Sequence, residues 1–365
     1  MKQDYMEEAL ELAARGRGRV SPGPAVGAVI VREAEIVGRG FYTARGVRHA
    51  EVLAIEEAGE LARGATMYVT LEPHCFTGRT PPCTAAILRA GIKKVVAAME
   101  DPNPRVSGRG FGELRAGGVE VEITGEYAAR AAALNEAFVH FMRTGRPLVT
   151  MKAAVTLDGK IAAPEDNQGW ITSEQAREHV QTLRHESDAI LTGIGTVLAD
   201  DCRLTDRSGQ ERARPLLRIV LDSQLRLPAD SKMVESCAGD VLVVTTSAAS
   251  AERRRRLESK GVRVEVLEGP DGRADLNATI ELLGREQYLS LMIEAGSRVN
   301  WTALESAAAD KIFFYYAPKI LGGVQSLPVA GGIGRRRRID AIRFRGLKIH
   351  SITPDEFAVE AYLEK

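Results

Sequence analysis

Several residues that can bind a metal or move a proton lie in one segment in the first quarter of the chain. His49 and Glu51 form a His-x-Glu motif, and His74, Cys75 and Cys83 follow a Leu-Glu-Pro sequence. A catalytic zinc ion takes three His, Cys or carboxylate ligands and leaves a fourth position for water. A His-x-Glu motif followed by Pro-Cys-x-x-Cys is typical of zinc-dependent base deaminases. This segment therefore predicts a zinc site with Glu51 as the proton carrier.

The second half of that motif is altered in this chain. His74 stands where the deaminase motif has its first cysteine, and Cys83 lies eight residues after Cys75 instead of three. Because neutral imidazole and thiolate both bind zinc, His49, His74 and Cys83 are the predicted ligands. Cys75 could replace His74 after a small local shift. The alternative for the whole segment is a hydrogen-bonded helix histidine with small buried thiols.

The length and charge of the chain limit the classes of protein to which it can belong. The chain has 365 residues, of which 44% are hydrophobic and 27% are charged, as in globular proteins with two domains. Lys plus Arg equals Asp plus Glu at 49 each, so no overall field attracts nucleic acid or an anionic membrane. The four cysteines do not form a disulfide framework, and no apolar segment approaches membrane-spanning length. We therefore expect a cytoplasmic protein.

Strands and helices alternate around the zinc motif. We predict helices over 4–15, 49–59, 111–116 and 127–143, and strands over 28–32, 36–41, 67–71, 93–99 and 119–124. Pro82 begins a further helix whose first turn contains Cys83, and the positive end of a helix dipole favours a thiolate there. The alternation is typical of an α/β layer domain. A helix stop signal at 144–147 ends this predicted domain at residue 145.

The alternation begins again after residue 146. We predict strands over 147–155, 189–192, 218–222, 241–245, 263–267, 290–293 and 311–316, and helices over 174–185, 251–260, 276–285 and 299–308. Ser173 is the predicted N-cap of the first of these helices. The strand 290–293 continues through a small-residue turn into a helix, a place where backbone N–H groups can hold a phosphate. Residues 146–365 are therefore a second predicted α/β domain.

The order of motifs along the chain resembles one family, the bifunctional deaminase/reductase of riboflavin biosynthesis. The first half carries H-A-E at 49–51, L-E-P at 71–73, G-R-T-P-P-C at 78–83 and D-P-N-P-x-V-x-G-x-G at 101–110. The second half carries Lys152, L-D-G at 157–159, W-I-T at 170–172, D-A-I-L at 188–191, T-V-L-A-D-D at 196–201 and A-P-K-I-L-G-G at 317–323. No single motif carries the resemblance, which rests on the occurrence of all these motifs in the order typical of the family.

The resemblance implies a fold and two reactions. The expected fold is a three-layer α/β domain like cytidine deaminase over 1–145, followed by an α/β domain like dihydrofolate reductase over 146–365. Water activated on zinc would displace ammonia from a pyrimidinone that carries a phosphoribosylamino group, with Glu51 moving the protons. NADPH would then reduce the ribosyl unit to a ribityl chain in the second domain. The resemblance also implies a homo-oligomer formed through the reductase half.

The resemblance further assigns binding residues in the second domain. The expected NADPH contacts are Ala154, Trp170, Thr196, Asp200, Ser223, Ala295, Gly296 and Ser297. The expected substrate contacts are Gln168, Arg184, Leu204, Arg207 and Glu294. The arginines suit a phosphate by charge and geometry. Three alternatives remain open: Trp170 as a core residue, the two arginines as surface ion pairs, and Asp200 with Asp201 as helix or turn caps.

The departures from the family pattern cluster in the first domain. They are Gly23 in place of an Asn that holds the pyrimidine, His74 in place of a ligand Cys, and Cys75 and Phe76 in place of Ser and His. Milder departures in the second domain are Gln168, Cys202 and Ala295. Loss of a hydrogen-bonding amide weakens discrimination between bases. Three hypotheses follow: an active bifunctional enzyme, a reductase whose altered deaminase domain is a scaffold, and a non-catalytic nucleotide-binding module.

Overall fold

The computed structural model describes residues 4–43, 48–78, 80–165 and 168–365, so Arg79 of the G-R-T-P-P-C motif lies outside the described residues. The chain divides into two compact units. The first unit ends at Gly145 and also includes Glu211–Arg214, and the second begins at Arg146. Within the described ranges, no helix has both the length and the apolar character that a membrane span requires.

The first unit alternates between short strands and helices. Its strands are β1 (Gly27–Arg32), β2 (Glu35–Phe41), β3 (Thr66–Val69), β4 (Lys94–Ala97) and β5 (Glu120–Ile123). Its helices are α1 (Tyr5–Ala14), α2 (Ala50–Ala58), α3 (Cys83–Ala90), α4 (Arg109–Ala116), α5 (Ala128–Leu134) and α6 (Glu136–Thr144). The described strands form one sheet in the order β2-β1-β3-β4-β5, in which β1 pairs antiparallel with β2 and β3. The pairs β3 with β4 and β4 with β5 are parallel.

Glycines let the helices of this unit lie directly on the sheet. A Cβ atom at Gly27 in β1 would approach the Ala9 carbonyl oxygen of α1 to 2.0 Å. A Cβ atom at Gly40 in β2 would approach the Ala50 carbonyl oxygen of α2 to 2.1 Å. Real Cβ atoms do not come this close to backbone atoms, so each contact requires glycine. Helix α2, which begins the zinc motif, is thereby fixed against β2.

The sequence predicts one helix over 127–143, but this alanine-rich segment forms two helices, α5 and α6. Asn135 separates α5 from α6 with φ −112° and ψ 25°. Its buried side chain accepts a hydrogen bond from the Ala25 N–H at 2.7 Å and donates one to the Ala25 carbonyl at 2.9 Å. The break therefore exists because Asn135 satisfies the backbone of the loop before β1, a contact between distant parts of the sequence.

The second unit is built around a larger sheet. Its strands are β6 (Leu148–Thr156), β7 (Lys160–Ala162), β8 (Ala189–Gly193), β9 (Leu217–Leu221), β10 (Val241–Thr245), β11 (Arg263–Val266), β12 (Ser290–Ile293), β13 (Lys311–Ala317), β14 (Leu327–Pro328), β15 (Phe344–Ser351) and β16 (Phe357–Leu363). Its helices are α7 (Glu174–Glu186), α8 (Ile194–Asp200), α9 (Lys232–Glu235), α10 (Ala251–Glu258), α11 (Leu276–Arg285) and α12 (Ser297–Glu305). Ser173 is the N-cap of α7, as its sequence predicted, because its hydroxyl accepts the Ala176 N–H.

The main sheet of this unit is parallel except at one edge. The described strands pair in the order β11-β10-β9-β8-β12-β6-β13-β16-β15, and only the pairs that involve β16 are antiparallel. Alternate residues of the parallel strands enter two separate cores: Leu191 and Ile219 pack on one face, and Ile190 and Val220 on the other. Burial on both faces explains why these strands are continuous apolar runs. The carboxyl ends of parallel strands meet at one edge, where loops can form a binding cleft.

Strands β15 and β16 were not predicted from the sequence. Most of β15 is exposed, so its side chains lack the apolar and polar alternation of a half-buried strand. Strand β16 lies between β13 and β15 and supplies the buried Ala358 and Ala361, which are too small to give a clear pattern. The long antiparallel pairing explains why both segments are extended.

Candidate functional site

The three predicted zinc ligands converge in the first unit. The ligand atoms of His49, His74 and Cys83 all lie within 4.8 Å of one another. The Cys83 sulfur lies 3.1 Å from Nδ1 of His74 and 3.3 Å from Nδ1 of His49. Tetrahedral zinc with Zn–N near 2.0 Å and Zn–S near 2.3 Å separates such atoms by roughly 3.5 Å. The donor set therefore fits a zinc ion in both chemistry and spacing.

Three different element ends position these ligands. His49 is the N-cap of α2, Cys83 is the first residue of α3, and His74 follows the loop that leaves β3. The N-terminus of α3 donates the Thr84 N–H to the His74 carbonyl at 3.3 Å, which ties this loop to the helix. Because Cys83 lies at a helix N-terminus, its thiolate gains from the positive end of the helix dipole.

Burial gives the ligands protonation states that suit a cation. Burial lowers the pKa of His49 and of His74, so both imidazoles are neutral near pH 7 and have a lone pair to offer. Burial, together with the neighbouring Glu51, raises the pKa of the Cys83 thiol well above its usual value. Since a coordinating thiol is deprotonated by its metal, a bound cation would offset this cost.

Glu51 lies beside this cluster. It is in the first turn of α2, its exposed fraction is 3%, and it lies close enough to Cys83 to raise the pKa of that thiol. A buried carboxylate so close to a metal site can take a proton from water and pass it to a leaving group. The structure therefore places the predicted proton carrier within reach of the predicted ligands.

Cys75 is not part of the cluster. Among the described residues, the group that could hold a metal contains His74 and not Cys75. Burial raises the pKa of the Cys75 thiol, with a further contribution from Glu113 and Glu72. The loop conformation therefore favours the imidazole of His74 over the thiol of Cys75 as the ligand.

The other departures from the family pattern surround the cluster. Gly23 leaves room for the Tyr42 ring, since a Cβ atom there would lie 3.0 Å from that ring. Tyr42 in turn meets the His49 ring edge-on at a centroid distance of 5.0 Å. Phe76 meets the His74 ring edge-on at 5.5 Å, and the Arg105 guanidinium lies 3.9 Å from the centroid of the Phe76 ring. Aromatic rings therefore support both metal-site histidines.

Glu72 has a structural position instead of a place at the zinc site. Its buried carboxylate accepts N–H groups from Asp101, Gly108 and Phe111 at 2.9 to 3.2 Å. Burial raises the pKa of the neighbouring Asp101 to about 6. The Leu-Glu-Pro motif and the D-P-N-P motif are therefore two halves of one hydrogen-bonded loop arrangement.

In the second unit, a cleft of about 2610 Å³ lies at the carboxyl ends of the parallel strands. It is lined by all the residues predicted to contact NADPH, namely Ala154, Trp170, Thr196, Asp200, Ser223, Ala295, Gly296 and Ser297. It is also lined by all the predicted substrate contacts, namely Gln168, Arg184, Leu204, Arg207 and Glu294. Pockets for single small ligands are about 300–1,000 Å³, so this cleft has room for a dinucleotide and a second molecule.

Glu294 is the centre of a charge cluster in the cleft. It follows β12 and accepts hydrogen bonds from Lys152 at 3.0 Å and from Nε and Nη2 of Arg184 at 2.9 to 3.2 Å. Burial alone would raise the pKa of Glu294, but the charges of Lys152 and Arg184 outweigh it and lower the pKa to about 2. Arg184 is only 7% exposed, which excludes a surface ion pair for this arginine.

The N-terminus of α12 offers a place for a phosphate. Ser297 is the first residue of the helix, its exposed fraction is 8%, and its Oγ has no hydrogen-bond partner among the described residues. Thr196 of α8 borders the same turn, since a Cβ atom at Gly296 would lie 3.6 Å from its hydroxyl. An unpaired buried hydroxyl beside the unpaired N–H groups of a helix start fits a phosphate group of a dinucleotide.

Trp170, Arg207 and Asp200 occupy different parts of the cleft. The Trp170 side chain is 70% exposed, which excludes the core alternative, and the Arg177 guanidinium lies 4.8 Å from its ring centroid. Arg207 is exposed as a whole residue, but partial desolvation of its guanidinium, together with the charge of Arg184, lowers its pKa. Burial raises the pKa of Asp200. The next residue, Asp201, is the C-cap of α8, which agrees with the alternative that this residue is a helix cap.

Comparison with known proteins shows that both sites occur together in one family. Residues 1–99 match the cytidine and deoxycytidylate deaminase zinc-binding region, and residues 147–356 match the RibD C-terminal domain. The riboflavin biosynthesis protein RibD of Actinobacillus pleuropneumoniae is 42% identical over 342 residues, which cover 94% of this chain and 90% of that protein. The RibD of Escherichia coli (strain K12) is 40% identical over 366 residues, with 96% of each chain covered. The chain belongs to the RibD family.

Solved structures of RibD proteins agree with the fold of the whole chain. Acinetobacter baumannii RibD, form 1, superposes with a TM-score of 0.89 at 36% identity and covers 99% of this chain and 98% of its own. A diaminohydroxyphosphoribosylaminopyrimidine deaminase/5-amino-6-(5-phosphoribosylamino)uracil reductase from Thermotoga maritima has a TM-score of 0.82 at 34% identity, with the same coverage. The expected fold, a cytidine-deaminase-like domain followed by a reductase domain, is confirmed.

Two residues of this RibD family member, Lys152 and Cys202, line the cleft although the sequence alone does not assign them to it. Lys152 was recognised only as part of a motif, whereas its ammonium group lies in the cleft against Glu294. Cys202 also lines the cleft, and burial raises its pKa to about 11. A lysine within an apolar strand was the available signal for Lys152, because such a charge requires a partner.

Proposed function

We propose that this chain is a bifunctional enzyme of riboflavin biosynthesis, which deaminates a phosphoribosylamino-pyrimidinone and then reduces its ribosyl unit with NADPH. One observation carries the proposal: each unit assembles residues for one of the two reactions. His49, His74 and Cys83 converge beside Glu51 in the first unit. The second unit gathers the predicted cofactor and substrate contacts around a single cleft.

The first reaction is hydrolysis of an amine-bearing carbon. When bound by His49, His74 and Cys83, zinc supplies the activation of water. The Glu51 carboxylate takes a proton from the attacking water and gives it to the ring nitrogen, and then moves the hydroxyl proton to the departing nitrogen, so the C–N bond breaks, a carbonyl forms and ammonia leaves. Tyr42 and Phe76 pack against the metal-site histidines and limit the access of bulk water.

The second reaction opens the ribosyl ring. When bound, NADPH supplies the hydride that reduces the anomeric carbon. The bond between that carbon and the ring oxygen breaks, and the oxygen takes a proton. Lys152 is the proton donor in this proposal, because its ammonium group lines the cleft and is held by Glu294. Arg184 and Arg207 bind the substrate phosphate, and Ser297 with the start of α12 binds a phosphate of the cofactor.

The proposal extends to the setting of the protein. A small phosphorylated pyrimidine is the substrate, and no polynucleotide or membrane takes part. The balanced counts of 49 basic and 49 acidic residues support this view. By similarity to its family, the protein forms a homo-oligomer through the reductase half and acts in the cytoplasm.

One experiment tests the main proposal. The purified protein is incubated with the phosphoribosylamino-pyrimidine and NADPH, while ammonia, NADPH absorbance and bound zinc are followed together. We expect zinc in the protein, release of ammonia and oxidation of NADPH. NADPH oxidation of the already deaminated pyrimidine without zinc or ammonia release would select the scaffold hypothesis instead. Ligand binding without either activity would select the non-catalytic module.

A further inference from the structure

A single hydroxyl group lies between the two histidines of the metal site. Oγ1 of Thr80 is 3.3 Å from Nε2 of His49 and 3.3 Å from Nε2 of His74. The opposite nitrogen of each ring, Nδ1, faces the Cys83 sulfur at 3.3 and 3.1 Å. Each ring therefore has one nitrogen toward the sulfur and the other toward Thr80.

This arrangement restricts where each imidazole carries its hydrogen. A neutral imidazole has one N–H and one lone pair, so a ring that binds a metal through Nδ1 must carry its hydrogen on Nε2. A hydroxyl oxygen has two lone pairs and can accept two N–H donors. Thr80 can therefore accept both Nε2–H groups at once, which leaves both Nδ1 lone pairs directed at the metal position.

The Cys83 backbone independently indicates the same hydrogen position for His74. Its N–H approaches Nδ1 of His74 at 3.4 Å, so the lone pair of that ring lies on Nδ1, where a metal ion would replace this contact. His74 thus has the hydrogen position that coordination through Nδ1 requires.

Thr80 is itself held in place by its neighbours in the chain. Its carbonyl accepts the Gly78 N–H at 3.1 Å, and Pro81 and Pro82 follow it directly. A residue before proline is restricted to extended conformations, and Pro82 is the N-cap of α3. One short segment therefore carries both the Cys83 ligand and the hydroxyl that orients the other two ligands.

We propose that Thr80 is a positioning residue of the metal site, which accepts the Nε2–H groups of His49 and His74 and so fixes both rings for coordination through Nδ1. The proposal rests on the zinc-dependent function proposed above. A site with two histidines needs such a partner more than a site with two cysteines, because each ring can flip or change its hydrogen position. Partners of this kind fix ring orientation, and their loss commonly weakens metal binding by about 10–100-fold.

The test compares zinc affinities of full-length variants by competition with a chelator. Thr80→Val keeps the shape of the side chain and removes the acceptor, so we expect zinc binding about 10–100-fold weaker than in the wild type. Thr80→Ser keeps the hydroxyl, and we expect affinity within a few-fold of the wild type. Thr77→Val is the matched control, since Thr77 is exposed, and we expect no change. Equal zinc affinity in Thr80→Val and wild type would overturn the proposal, as would equal weakening in Thr80→Ser and Thr80→Val.

A second measurement requires no variant. ¹⁵N NMR of the zinc-loaded wild-type protein reports which nitrogen of each imidazole carries hydrogen, and we expect Nε2–H for both rings. Nδ1–H in either ring would overturn the proposal even if Thr80→Val failed to fold. Absence of zinc binding by the wild-type protein is a different result, because it refutes the metal site and not the part that Thr80 plays in it.

Discussion

At the scale of single residues, His74 gives the metal site one negative charge fewer than a second cysteine thiolate would. A divalent ion bound by the Cys83 thiolate and two neutral imidazoles keeps a net positive charge, which a second thiolate would cancel. The remaining charge polarises a water ligand more strongly. A zinc ion bound with His74 in place of a second thiolate would therefore be more electrophilic.

The identity of the ligand at this position can be tested by a pair of substitutions. His74→Ala removes one of three donors, and we expect the purified variant to contain almost no zinc. Cys75→Ala is the matched control, because Cys75 lies outside the metal cluster, and we expect about wild-type zinc content. Zinc content is measured by elemental analysis. Loss of zinc in Cys75→Ala with retention in His74→Ala would move the ligand to Cys75.

Glu51 can be separated from the metal and from the second reaction. Glu51→Gln keeps the size of the side chain and removes its ability to accept a proton, so we expect ammonia release to fall by at least about 100-fold. We expect zinc content and NADPH oxidation of the deaminated pyrimidine to remain near wild-type values. Ammonia release close to that of the wild type would show that another group carries the proton.

At the scale of elements, close backbone contact fixes the helix that carries Glu51. Gly40→Ala would place a Cβ atom 2.1 Å from the Ala50 carbonyl oxygen and 2.8 Å from the Ala54 nitrogen. Helix α2 must shift to relieve this contact, so we expect a loss of about 1–3 kcal/mol in the free energy of unfolding. We also expect weaker zinc binding, since His49 is the N-cap of α2.

A matched control exists on the surface of the same unit. Gly112 lies in α4 and is exposed, and a Cβ atom added there would point into open space. Gly112→Ala should raise the free energy of unfolding by about 0.5–1 kcal/mol, because alanine loses less backbone entropy in a helix. Denaturant unfolding measures both variants. Equal effects of the two substitutions would show that the contact at Gly40 does not fix α2.

The elements of this chain show which features can be predicted from sequence. The buried parallel strands were found, and β10 and β12 have the predicted bounds, because long apolar runs between helices have few other interpretations. The helix break at Asn135 and the strand β15 were missed. Asn135 acts on Ala25, which is 110 residues away, and the exposed β15 has no pattern of its own. Both depend on partners that are distant in the sequence.

The two candidate sites likewise contain some residues that the sequence predicts and others that only the fold reveals. His49, His74 and Cys83 could be predicted as ligands because their residue types and order carry the chemistry. The position of Thr80 between two rings could not, since a threonine beside two prolines has no distinctive sequence signal. The ion pair of Lys152 with Glu294 joins residues that are 142 positions apart, so it too required the fold.

At the scale of the whole molecule, the buried charge cluster in the cleft links stability to pH. The pKa of Glu294 is about 2 in the folded protein, below its ordinary value of 4.5. A carboxyl with a depressed folded-state pKa stabilises the protein above its unfolded pKa, and this stabilisation is lost as pH falls through the folded pKa. We therefore expect the contribution of Glu294 to be complete above about pH 4.5 and to disappear toward pH 2.

A variant makes this expectation specific to one residue. Glu294→Gln leaves Lys152 and Arg184 without their carboxylate, so we expect a loss of about 3–5 kcal/mol in the free energy of unfolding at pH 7. Between about pH 4.5 and 2 the variant should lose less stability than the wild type, because the titrating group is gone. Unfolding by urea at a series of pH values measures both. Parallel curves for the two proteins would assign the acid sensitivity to other carboxylates.

Strand β16 has a consequence for which residues the second activity needs. Strand β16 lies between β13 and β15, and Glu356, just before it, accepts the Ser173 N–H at 2.8 Å at the start of the helix that carries Arg184. Removal of residues 356–365 would spare every residue assigned to zinc, pyrimidine or dinucleotide. The shortened chain would nevertheless lack a strand from the inside of its sheet, so we expect the second activity to need residues 356–365 as much as the residues that line its cleft.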